Sequence, residues 1–85
     1  MNKLSLEQVQ QIAESVLRER PPTVPDWAWR LYGITQEPSS LEQSLRRTYY
    51  AFLHALVRAC DPEFVVELGT AEGTSAVFMA TATSA

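Results

Sequence analysis

The chain has 85 residues, room for one small domain, and its 46% hydrophobic share excludes a disordered tail. A net charge of −3 with scattered basic residues excludes a polybasic footprint for nucleic acid or an anionic membrane. The apolar runs fall far short of the ~20 residues of a membrane span, and the N-terminus lacks the apolar core of a secretory signal; a cytoplasmic protein is expected.

Ser5 with Gln8 forms a capping box that predicts a helix over about 5–20. Val9, Ile12, Ala13, Val16 and Leu17 make its apolar stripe, and Glu7, Gln11, Glu14 and Arg18 fall off it. Pro21-Pro22 ends this helix near Arg20. A connector over 21–39 follows, with four prolines and Gly33. Within it, Pro25 to Tyr32 can form a short helix closed by Gly33. Trp27 and Tyr32 are expected to anchor the connector on a core rather than to stack a ligand, because large aromatics bury much area wherever they occur.

A second capping box, Ser40 with Gln43, opens a long helix over about 40–60. Leu41, Leu45, Thr48, Tyr49, Phe52, Leu53, Leu56 and Val57 keep one face apolar. Glu42, Arg46, Arg47, Tyr50, His54 and Arg58 occupy the other. His54, the sole histidine, is therefore expected at the boundary or in solvent, and Arg46-Arg47 on a solvated face. Of Tyr49 and Tyr50, one should be core and one rim. Cys60, the single cysteine, reads as a small buried hydrophobe that offers no internal disulfide or metal cluster. Pro62 disfavours helical geometry at Asp61 and stops the helix.

The period then changes. Phe64-Val65-Val66-Glu67-Leu68 is a short apolar, β-branched run between Pro62 and Gly69, the pattern of a strand buried on both faces of a parallel sheet. Gly69 to Gly73 reads as a turn, Thr74 or Ser75 as a cap, and Ala76 to Ala80 as the start of a buried helix. No other segment reads as a strand, so this one has no partner within the chain. The expectation is an N-terminal piece of a longer enzyme: a helical region over 1–62, then the start of a cofactor-binding domain over 63–85.

A strand, a glycine loop and a helix start together suit a nucleotide-like ligand. A phosphate-binding P-loop needs G-x-x-x-x-G-K-[ST]; here Gly69 and Gly73 are one residue too close and no lysine follows. A dinucleotide fingerprint needs G-x-G-x-x-G; Gly69 matches, but Ala71 and Thr74 replace the other glycines. A nicotinamide-dependent oxidoreductase stays open as an alternative, as does a non-catalytic helical interaction module.

The run from Phe64 to Ala76, apolar residues followed by acid-x-Gly-x-x-x-Gly, resembles motif I of the class I S-adenosylmethionine-dependent methyltransferases. With Glu67 as the acid and Ser75 two residues after the last glycine, it is similar to the catechol and caffeoyl-CoA O-methyltransferase group. It is similar also to bacterial small-molecule methyltransferases and cephalosporin-hydroxylase-like proteins. The helix ending in Leu56 to Pro62 suits that group too. Ala71 departs from the broader motif, which has a central glycine there.

The resemblance implies an α/β, Rossmann-like methyltransferase fold, of which this chain holds the helical prelude, the first strand and the start of the first sheet helix. It implies S-adenosyl-L-methionine as cofactor. Glu67 matches the acid beside the cofactor's methionine portion, and Gly69 and Thr70 the loop backbone lining the cofactor. Gly73 matches the second motif glycine, and Ser75 a hydroxyl on the cofactor's amino-acid end. The implied reaction is methyl transfer to a small-molecule hydroxyl. Charge and hydropathy point to no nucleic-acid or membrane partner, and the N-terminal helices are expected to be the route to any homo-oligomer. No residue is assigned a catalytic or metal-binding role, and the segment alone is expected to be inactive.

Overall fold

The computed structural model describes residues 3–18, 23–34, 40–66 and 73–83. Helix α1 spans Leu6–Arg18, and the capping box at its start is formed. The Ser5 amide donates to Gln8 Oε1 at 2.8 Å and the Gln8 amide donates to Ser5 Oγ at 3.1 Å. The expected end near Arg20 lies outside the described residues.

Helix α2, Asp26–Leu31, starts after Pro25, whose fixed φ suits the entry. It ends in a Schellman turn around Gly33 at φ 66°. The Gly33 amide donates to the Arg30 carbonyl at 3.1 Å and the Ile34 amide to the Trp29 carbonyl at 2.9 Å. Only a residue without Cβ takes this left-handed conformation at little cost. The turn folds Ile34 back so that it is buried in the same cluster as Trp29.

Helix α3, Leu41–Cys60, begins where Ser40 Oγ accepts from the Gln43 amide at 3.2 Å. It ends at Asp61, which turns left-handed at φ 47° ahead of Pro62. Helix α4, Thr74–Ala80, follows Gly73. The long α3 is the central element and packs against both α1 and α4. The core lies where α1, α4 and the 23–34 segment meet it: Val16, Val24, Ala28, Trp29, Ile34, Ala51 and Phe78.

Three expectations are corrected here. The α/β, Rossmann-like fold is not what the chain adopts, since the described residues are helical or irregular and contain no strand. In the run expected to be a doubly buried strand, Phe64 and Val66 are 83% and 85% exposed and Val65 is exposed too. Glu67 and Leu68 lie outside the described residues. A single short strand with no neighbour has no ladder to join, and β-branched composition alone does not hold it extended.

The packed face of α3 is also rotated from the expected stripe. Ala51, His54 and Val57 are buried with Tyr50 and Phe52 half-buried, whereas Leu41, Leu45 and Tyr49 are exposed. Small Ala51 lets the aromatic cluster come close, and His54 is hydrogen-bonded on both sides, so this face accepts more contact than the leucine edge. Finally, Trp29 rather than Trp27 anchors the connector. Trp29 is 2% exposed and Trp27 is 53% exposed, while Tyr32 is half-buried against the core as expected.

Candidate functional site

Of the residues matched to the cofactor motif, Gly73 and Ser75 are described, and Glu67, Gly69 and Thr70 lie outside the described residues. Gly73 stands at the N-cap of α4 with φ 77°, and its carbonyl accepts from the Val77 amide at 3.0 Å. A Cβ added there would meet nothing within 4 Å among the described residues. The positive φ at Gly73 makes the requirement for glycine torsional. Neither Thr74 nor Ser75 caps the helix; both lie within its first turn, Thr74 buried and Ser75 half-buried. Beside α4, Pro62, Glu63, Val65, Ala76, Met79 and Thr83 line a groove of about 280 Å³. Among the described residues no group of three or more His, Cys, Asp or Glu side chains could hold a metal ion.

Phe78 holds α4 in place. It is fully buried, with the Trp29 ring 4.7 Å away at 52° and the Tyr50 ring stacked at 5.3 Å and 14°. Tyr32 lies farther off at 6.3 Å. Both centroid distances and tilts are those of favourable offset or tilted aromatic pairs. Of the tyrosine pair, Tyr50 is thus the core member and Tyr49, with its ring 5.2 Å from Tyr50, the rim member. Arg47 is less solvated than expected: its Nε is buried without a hydrogen-bond partner among the described residues.

Beneath Phe78 sits His54, also fully buried, which corrects its expected boundary position. Its Nδ1 lies 3.0 Å from the Phe78 carbonyl and 3.1 Å from Thr81 Oγ1. A carbonyl only accepts, so Nδ1 carries the proton and the ring's other nitrogen has the lone pair. Thr23 Oγ1, 2.7 Å from Nε2, then donates to it. The Thr81 hydroxyl donates to the same Phe78 carbonyl at 2.9 Å, which leaves its oxygen lone pairs for Nδ1–H. Burial pushes the His54 pKa below its ordinary value of 6.5; the bond to Phe78 works against this and the charge of Arg58 adds to it.

Helical periodicity put His54 off the apolar stripe, so the pattern of α3 by itself pointed the wrong way. The available signal was its spacing to Tyr50, Ala51 and Val57, which share one helical face with it. No helix among the described residues is long and apolar enough to cross a membrane. Comparison with family models, with curated proteins and with solved structures finds nothing that matches this chain.

Proposed function

We propose that the chain is the N-terminal part of an S-adenosylmethionine-dependent methyltransferase that acts on a hydroxyl of a small molecule. The observation that carries the reading is the spacing Glu67-x-Gly69-x-x-x-Gly73-x-Ser75 behind an apolar run. The left-handed Gly73 at the entry to α4 supports it, since a motif glycine is needed where the loop turns into a helix. The described part of the set is compatible with the group: a torsionally required glycine, then a half-buried hydroxyl at Ser75.

In this reading Glu67 pairs with the ammonium of the cofactor's methionine portion. The backbone of Gly69 and Thr70 lines the cofactor, and Ser75 hydrogen-bonds its amino-acid end. The bound cofactor supplies a sulfonium methyl that the acceptor oxygen attacks in line, so catalysis depends largely on positioning. The reading assigns no acceptor contact or general base to these residues.

The test is a titration of the ¹⁵N-labelled chain with millimolar S-adenosylhomocysteine, followed by amide chemical shifts. The expected result is weak, saturable shifts grouped over 67–76 that Gly73→Val abolishes. An absence of shifts there contradicts the reading, and equal shifts with NADH favour the oxidoreductase. A helical interaction module has one observation of its own, the exposed Leu41, Leu45 and Tyr49 edge of α3. A chain that ignores both cofactors yet runs as a defined oligomer would favour that module.

A further inference from the structure

His54 joins three parts of the chain that are far apart in sequence. It projects from α3, receives the Thr23 hydroxyl at the head of the 23–34 segment, and donates to the Phe78 carbonyl in α4. Thr81, just past α4, closes the same ring of bonds. The α1–α3 contact does not use this ring of bonds.

We propose that His54 is an acid-released clasp: protonation of its ring frees α4 and the 23–34 segment from α3 while α1 and α3 stay paired.

Burial and charge set the cost of protonating the ring. Neutral His54 is satisfied at both nitrogens. A second proton on Nε2 reverses the bond to Thr23, and exposed Thr23 can turn its hydroxyl hydrogen to water. Hydrogen bonding therefore does not prevent protonation; the cost is a cation in a fully buried position. The surrounding elements do little to offset it. Arg58, one turn along α3, is a like charge that acts on the ring. Arg47, two turns back, is also cationic and half-buried. Helix α4 carries no charged side chain. The 23–34 segment contributes Asp26 and Arg30, and α1 Glu7, Glu14 and Arg18, all of them exposed.

Relief comes from letting water reach the ring, and the thinnest cover is the short α4 and the short α2. Helices of 7 and 6 residues do not persist alone, so once unclasped they melt. The 13-residue α1 and 20-residue α3 keep their own contact. Because Gly73 and Ser75 sit at the start of α4, the clasp sets the order of that helix whatever ligand it serves.

The test uses the whole 85-residue chain, whose single histidine gives one imidazole signal. In a Trp27→Phe background, fluorescence reports Trp29 alone, which packs on Phe78. From pH 8 to pH 4 the imidazole signal should titrate with a midpoint below 6.5. Trp29 emission should shift red at the same midpoint. Amide protection should vanish over 26–34 and 74–83 and persist over 6–18 and 41–60. Arg58→Gln, at an exposed position, should move both midpoints to higher pH together. His54→Asn should abolish the Trp29 transition; should that variant not fold, the Arg58→Gln comparison decides. A midpoint at or above 6.5, a Trp29 signal that does not follow the imidazole, or loss of all four helices together would overturn the clasp.

Discussion

Phe78 is the residue on which the packing depends most, and replacing it gives the sharpest prediction. Its ring is fully buried and touches partners from α2 and α3 at 4.7 and 5.3 Å. Phe78→Ala removes that ring and leaves a cavity where small neighbours such as Ala28 and Ala51 cannot collapse inward, which costs about 3–5 kcal/mol. A chain of this size is typically stable by about 4–13 kcal/mol, so the loss takes between a quarter of the total and all of it. Phe78→Leu keeps an apolar side chain but gives up the two nearer of its three aromatic pairings, those with Trp29 and Tyr50, about 1–3 kcal/mol together, with the Tyr32 pair at 6.3 Å lost as well. At about 4–8 °C per kcal/mol for a domain this small, its thermal midpoint should fall by roughly 5–20 °C. Thermal unfolding followed by circular dichroism at 222 nm checks both. A Phe78→Ala chain that melts within about 4 °C of the parent would refute the reasoning, because a ring at the centre of the core cannot be removed that cheaply.

The two tryptophans should separate in the same assay. Trp29→Ala should cost about 3–5 kcal/mol, while Trp27→Ala, at a half-exposed surface position, should cost less than about 1 kcal/mol. Equal effects would mean that the wrong face of α2 has been placed inward. His54 predicts the pH dependence of unfolding in urea. Its folded pKa is depressed below 6.5, so the unfolded chain binds more protons in acid and stability rises with pH. The contribution is complete above 6.5 and is lost as pH falls from there toward the folded value; a stability that increases on acidification through this range contradicts it. Gly73→Ala should destabilise by about 1–2 kcal/mol through backbone strain, since its φ is positive and none of the described residues crowds the new methyl. A neutral result would show that the loop relaxes away from that torsion.

Local signals in the sequence were good guides to helix ends. Ser5 with Gln8, Ser40 before Gln43, Gly33 after Tyr32 and Pro62 after Asp61 each act through bonds or torsions made within a few residues, and each marks a real boundary. Long-range choices were not readable in the same way. Helix α3 has two apolar edges, and periodicity cannot say which one another element will cover. Phe78 decides it by stacking on Tyr50 rather than on Tyr49. The run Phe64–Val66 shows the converse: its composition suits a strand, but a strand exists only in a ladder, and composition carries no information about whether a neighbour is present. The spacing from Glu67 to Ser75 is legible in the sequence, and its described part, Gly73 and Ser75, sits at the N-terminus of α4.

The claim beneath all of this is that α4 folds back onto α3 through Phe78, over a histidine bonded on both sides. Proton NMR of the intact chain at pH 7.5 tests it most directly. Nuclear Overhauser contacts are expected from the Phe78 ring to both the Trp29 and Tyr50 rings, as their separations of 4.7 and 5.3 Å require. A slowly exchanging imidazole proton on His54 Nδ1, held by the Phe78 carbonyl at 3.0 Å, is expected too. A Phe78 ring without contacts to Trp29 and Tyr50, or β-type carbon shifts over 64–66, would contradict the claim.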